Sequence, residues 1–254
     1  MNPLIAQAWD AYRRAEAEGL SFVVRPSIPI LFFGDREQYF ASPLKVVTVG
    51  LNPSRKEFPV GDRFARFPAS RDVYPGILEV DEYSAYLTAL SDYFRVSPYT
   101  DWFDGSFKEI LQGMEASFYD GAKNTALHTD LCSSLATDPT WRRLDPSGRA
   151  ALEDEGVPLW HQLVQVLDPD VILVSVARAN VDQGIRLHRL REWRDIYTVE
   201  RMNPYRVEAA EVELTPGRST LLVFGRAAQK PFGPVSNLEK RRIGETIGRI
   251  HAGG

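Results

Sequence analysis

Apolar runs of two kinds divide this chain. Lys45-Val46-Val47-Thr48-Val49-Gly50 is β-branched at successive positions, which suits a strand buried on both faces, and glycine, asparagine and proline at once break it off. Thr125 to Leu131 predicts a second central strand with polar residues at its end, and Val171 to Val176, led in by the Asp168-Pro169-Asp170 turn, the strongest strand of all. Ile196 to Arg201, Arg206 to Leu214 and Ser219 to Phe224 are further strands. Helical spacing marks Leu4 to Glu18, closed by Gly19, and then Ile77 to Tyr93, through Ile77, Leu78, Tyr83, Tyr86, Leu87, Leu90 and Tyr93. It returns in Ser106 to Ser117, with Phe107, Ile110, Leu111 and Met114 inward, and in Val157 to Leu167, led in by Pro158. A helix is also expected from the end of the Val171 strand through Arg191, and another over Asn237 to Ile250.

Strands alternating with helices predict an α/β fold whose central, mainly parallel sheet is flanked by helices on both faces. Ser21 to Arg25 and Ile28 to Phe33 read as extended segments, followed by a turn at Gly34-Asp35. Residues 1–44 are therefore expected to form a helical and extended entry to a single domain over 1–254. Between Ser54 and Gly76 neither period persists, which predicts a long functional loop.

Composition narrows the function. The chain has 254 residues, 44% of them hydrophobic, ordinary for a fold with a sizeable core. Its one cysteine, Cys132, rules out an internal disulfide or a multi-cysteine metal cluster, and the four histidines have no paired spacing, so neither metal nor cofactor is expected. There is no glycine-rich phosphate loop and no serine nucleophile elbow. Neither a signal peptide nor a membrane-spanning stretch is visible, so a cytoplasmic protein is expected; a monomer is expected as well. The net charge of -4 argues against a surface wholly given to nucleic acid. Two stretches are nevertheless basic: Arg55, Lys56, Arg63, Arg66 and Arg71 in the long loop, and Arg226, Lys230, Lys240, Arg241, Arg242 and Arg249 toward the end. Brought to one face they would attract phosphates.

Three apolar strands end in polar residues: Asn52 after the first, His128 to Asp130 after the second, and Gly225 to Lys230 after the last. Ligands of open α/β sheets collect at such strand ends. Gly50-Leu51-Asn52-Pro53-Ser54 resembles the first active-site motif of the uracil-DNA glycosylase superfamily, closest to its single-strand-selective and mismatch-specific branches, whose motif is Gly-hydrophobic-Asn-Pro-Gly. Ser54 departs from the final glycine. The resemblance extends over about Lys45 to Ser236.

That resemblance implies hydrolysis of the bond between a base and deoxyribose in DNA. Asn52 would be the catalytic residue, its amide oxygen holding a water against a sugar that becomes cationic. The base would be flipped out of the stack and held by an aromatic wall, supplied by Phe58 or Phe64, with Phe67 a third candidate in the same loop. Asp130-Leu131-Cys132-Ser133 is similar to the Asn-hydrophobic-Cys-Pro segment of the single-strand-selective branch, which puts Asp130 where an asparagine reads uracil. A carboxylate only accepts, so the pocket would favour a base bearing an exocyclic amine, a cytosine or a modified cytosine such as bacteriophage genomes contain. An alternative alignment puts His128 at this position. Ser54, Arg55, Lys56, Arg226, Gln229 and Lys230 would contact DNA, with Gln229 or Phe232 filling the gap left by the flipped nucleotide.

The family's last loop carries a histidine that Phe224 to Pro234 lacks, leaving Arg226 or Lys230 to replace it. Asn-Pro turns, a capping aspartate and a buried histidine are also ordinary structure. The alternatives are a non-catalytic DNA-binding module on the same fold, a uracil-excising repair glycosylase, and an α/β hydrolase of a small nucleoside.

Overall fold

The computed structural model of the chain describes residues 1–74 and 83–253. It is an α/β fold with a seven-stranded, mainly parallel sheet in the order β2-β3-β1-β4-β7-β6-β5. The strands are β1 (Val46–Gly50), β2 (Ala116–Ser117), β3 (Asn124–Asp130), β4 (Val171–Val174), β5 (His188–Val199), β6 (Tyr205–Thr215) and β7 (Arg218–Gly225). β1 pairs in parallel with β4, β4 with β7 and β2 with β3, while β6 runs antiparallel to β7 and to β5. β1, β3 and β4 are buried at every position, as expected for strands without a solvent face.

The helices are α1 (Asn2–Ala17), α2 (Arg36–Ala41), α3 (Tyr83–Ser91), α4 (Tyr93–Val96), α5 (Thr100–Ser106), α6 (Lys108–Gly113), α7 (Pro146–Leu167), α8 (Arg178–Gly184) and α9 (Asn237–Ala252). Ile77 and Leu78, at the head of an expected helix, lie outside the described residues. The helix expected to reach Arg191 stops at Gly184, and the chain continues as β5. Leu187, Leu190 and Trp193 recur every third residue like one face of a helix. β5 has three register irregularities against β6, and each extra residue upsets the two-residue alternation that marks a strand.

The chain divides into two compact units. One comprises Met1–Asp35, Gly50–Tyr99 and His128–Val166, the other Arg36–Val49, Thr100–Leu127 and Leu167–Gly254. In the first, α1 buries Trp9 and Tyr12, and Trp9 meets Tyr86 edge-on at 6.1 Å. Residues 23–33 satisfy their backbone by bonding residues 128–137, with Val24 N–H on Ala136 O, Ile30 N–H on Ser134 O, and Phe33 and His128 bonding each other reciprocally.

In the second unit, α6 and α9 meet backbone to backbone. A Cβ at Gly244 would lie 2.0 Å from the Ile110 carbonyl oxygen, and one at Gly113 would lie 2.2 Å from that of Arg241. Lysines hold the carbonyls of α5, where Lys240 Nζ donates to Gly105 O at 2.7 Å and Lys230 Nζ to Asp101 O at 2.8 Å. Gly105 lies in the last turn of α5, where carbonyls lack partners and a cation suits, whereas Asp101 lies in its first turn.

The two glycines of α9 separate contact from propensity. Gly244→Ala must force the helices apart, and roughly 2–4 kcal/mol of stability should be lost. At Gly248 the nearest atom to an added Cβ is 3.9 Å away. Gly248→Ala should therefore be neutral or stabilise by up to about 1 kcal/mol through helix propensity. Urea unfolding of the two variants reads the contrast.

Candidate functional site

β1 delivers its last residue, Gly50, into a loop that is laced to the segment after β3. Leu131 N–H bonds Gly50 O at 3.0 Å, Cys132 N–H bonds Leu51 O at 2.8 Å, Thr137 N–H bonds Pro53 O and Arg55 N–H bonds Thr137 O, both at 3.1 Å. Asn52 is half-buried inside this lacing. Its Nδ2 donates to Pro53 O at 2.8 Å, Thr137 Oγ1 at 2.9 Å and Leu135 O at 3.4 Å. Two of these partners are carbonyls, which only accept, so the amide has one possible orientation. Its Oδ1 makes no hydrogen bond among the described residues. Ser54 begins the 3₁₀ turn Arg55–Glu57, its Oγ accepting from Lys56 N–H.

The strand end is glycine because nothing larger fits. A Cβ on residue 50 would lie 2.4 Å from Asp130 Oδ1 and 3.0 Å from His128 Nε2. The Asp130 side chain is 4% exposed and that of His128 2%, and the two approach to 3.7 Å between Oδ1 and Nε2. His128 also leans on Phe33, ring centres 5.6 Å apart. Among the described residues no N–H or O–H is hydrogen-bonded to the Asp130 carboxylate. It caps no turn. Neither oxygen is fully enclosed, so the little surface the carboxylate keeps is open to a donor from outside the chain.

The long loop holds a second buried carboxyl that its sequence does not reveal. Glu57 accepts a short hydrogen bond from the Tyr93 hydroxyl, whose oxygen in turn accepts from Tyr99 N–H at 2.9 Å. Burial pushes the Glu57 carboxyl up to about 7. The Tyr93 hydrogen bond and the Arg66 guanidinium pull against that rise, and the charge of Asp130 adds to it. Tyr93 is raised well above the ordinary phenol range, by burial first and then by the charge of Glu57. Rings pack around this pair. Phe67 stacks on Tyr93 at 5.2 Å, Phe58 on Phe67 at 5.5 Å, and Phe33 meets Tyr93 edge-on at 4.7 Å.

Asn52, Phe58, Phe64, His128 and Asp130 all belong to the first compact unit. Phe58 has no exposed surface, and Phe64 is buried against Phe58 and Tyr74. Arg55 and Lys56 are exposed, Arg55 with its Nε 3.5 Å from Asp138 Oδ2. Arg226, Gln229 and Lys230 belong to the second unit and are exposed there. Lys230 is engaged with α5, and Tyr205 donates its hydroxyl to Arg226 O at 2.8 Å. Phe232 is a correction. Wholly buried, with φ of 50°, it lies where a Cβ on Gly225 would fall, and its N–H bonds Ser175 Oγ at 2.8 Å, so it is not free to fill a gap in DNA.

Glu57 and Thr137 went unread in the sequence, and Tyr93 was read only as an apolar helix position. Glu57 sits among charged residues and looks solvated, and the only signal was the density of aromatic residues after it. Burial and the nearby charge of Glu153 raise the Cys132 thiol, which makes it a poor nucleophile. Among the described residues no group of His, Cys, Asp and Glu could hold a metal ion, and no helix is long and apolar enough to cross a membrane. Fold and site together define an α/β protein with a polar, strand-end site. Comparison of the sequence with family models and with curated proteins finds no match.

Glu57 ties stability to pH. Its folded pKa lies above the ordinary value of 4.5, so the folded state binds more protons between about 4.5 and 7. Stability should fall as pH rises through that window, by up to about 3 kcal/mol, and level off above it. Urea unfolding from pH 4.5 to 8 should show this slope in the parent and a flatter one in Glu57→Gln.

Proposed function

We propose that this chain is a DNA glycosylase, hydrolysing the N-glycosidic bond of a flipped, cytosine-like or modified cytosine base. The observation that carries the reading is Asp130: a carboxylate buried at a strand end, with no hydrogen-bond donor among the described residues, in the same compact unit as the free amide oxygen of Asn52. An exocyclic amine is the donor such a carboxylate lacks, and cytosine N4 presents one. Uracil presents a carbonyl oxygen there, which would meet Asp130 as acceptor against acceptor.

In the proposed reaction the bond from C1′ to the base nitrogen breaks and its electron pair leaves with the base, while the water oxygen bonds C1′ and one of the water's protons ends on the departing base. Charge develops positive on the sugar, so the fixed dipole of Asn52 suits the step. Three donor contacts hold its nitrogen, and the oxygen is turned without cost of reorganisation. Excision of modified cytosine would act in defence against bacteriophage DNA, and excision of a damaged base in repair. A second reading, a DNA-binding module without catalysis, is favoured by one feature: residues 225–234 contain no histidine, and Lys230 is engaged with α5.

Strand scission by alkali, after incubation with duplexes and single strands carrying cytosine, modified cytosines, uracil or hypoxanthine, tests the reading. Scission at a modified cytosine supports it. A gel shift without scission supports the binding module, and clean uracil release overturns the base preference. Asn52→Ala should leave DNA binding near normal and slow base release by about 10²–10³-fold. Asp130→Asn restores a donor and should move the ratio of rates toward uracil, in single-turnover assays of both substrates.

A further inference from the structure

β5 ends the sheet order, so one of its edges faces no other strand of that sheet. Residues 188–192, 194 and 195 are exposed, and Leu190, at 45%, is among the most exposed large apolar residues described. The sequence of this edge is its own complement. In an antiparallel pair of two copies about a two-fold axis at Trp193, Leu190 stands opposite Ile196, Arg191 opposite Asp195 and Glu192 opposite Arg194. Residues opposite one another in an antiparallel pair share a face of the sheet, so each of these pairs can touch.

The neighbouring symmetric registers fail. A slip of one pair in either direction puts Glu192 opposite Glu192 or Arg194 opposite Arg194, and like charges facing across strands destabilise. We propose that β5 pairs edge to edge with β5 of a second copy in the register centred on Trp193, giving a two-fold dimer in place of the monomer expected from sequence.

Charge on the strand agrees with an occupant of this kind. Arg191 and Asp195 already pair across to β6, with Glu211 at 3.1 Å and Arg206 at 3.4 Å, whereas Arg194 has no ion pair among the described residues. Glu192 is 80% exposed and, among the described residues, ion-paired only with Arg189 at 3.2 Å. The partner's Glu192 would supply what Arg194 lacks, and the two-fold repeats the contact. The bulges facing β6 coil the strand and interrupt a long backbone ladder, so the side-chain pairs set the register. A contact of one strand against another is small and its ion pairs are solvated. The dimer is consequently weak and sensitive to salt.

Sedimentation velocity of the full chain over a range of concentrations, at low and high salt, tests this. The parent should shift from monomer to dimer with concentration, less so at high salt. Arg194→Glu and Glu192→Arg should each weaken the dimer by at least about tenfold, because each puts like charges opposite one another. The double variant E192R/R194E restores the complement and should regain the dimer, which a merely misfolded edge would not do. A parent that stays monomeric throughout overturns the proposal. So does a dimer indifferent to both single substitutions, or one that the double variant fails to restore.

Discussion

The lacing of Gly50–Arg55 to Leu131–Thr137 is the constraint on which the candidate site depends. Two loops leaving separate strands would ordinarily diverge and expose their backbone groups. Here successive N–H and C=O groups of one loop are satisfied by the other. The lacing fixes Asn52 against Leu135 and Thr137, and it brings Gly50 so close to Asp130 that no side chain fits between them. A loop with half these bonds would leave both polar groups able to turn outward, to water. Held as they are, one amide oxygen and one carboxylate have no hydrogen-bond partner among the described residues.

Such an arrangement opposes stability. Among the described residues Asp130, almost wholly buried, has no hydrogen-bond donor, and Glu57 is buried with one. The rings of Phe33, Phe58, Phe67 and Tyr93 offset the cost by packing tightly around the second carboxyl. A core built for stability alone would place apolar side chains at both positions. Polar groups kept at such expense mark sites where a ligand completes the hydrogen bonding.

How much of this was legible in the sequence follows from which signals survive folding. β1, β3 and β4 were readable because strands covered on both faces concentrate β-branched and apolar residues without interruption. The places of Asn52 just after β1 and of Asp130 at the end of β3 were readable because polar residues close such apolar runs. Of β5 only the end from Ile196 was readable as a strand, since bulges erase the alternation before it and its spacing there imitates a helix. α2, six residues long, has too few turns to show a period. Glu57 was hidden for another reason: a charge in a charged loop looks solvated, and its burial is decided by rings as far along the chain as Tyr93. Lys230 reads as a phosphate ligand in isolation, and the fold adds a bond from its Nζ to the Asp101 carbonyl of α5 while leaving it exposed.

Charge sets a further condition on the proposed chemistry. A base that leaves with its bonding electrons becomes an anion, and an ionised Asp130 at its edge repels that anion. At about 4 Å the repulsion is on the order of 4 kcal/mol with an effective dielectric constant near 20. Asn52 cannot remove it, since an amide oxygen steadies only the cationic sugar. The repulsion disappears when the base departs neutral, which requires a proton on a ring nitrogen as the glycosidic bond breaks. Cytosine N3 is an acceptor and can take that proton, whereas N3 of uracil already bears one. A carboxylate reader and an amine-bearing pyrimidine are thus matched twice, in hydrogen bonding and in the charge of the leaving group. Burial raises the Glu57 carboxyl of the same unit to about 7, and the charge of Asp130 adds to that rise, so the two acids are electrostatically linked.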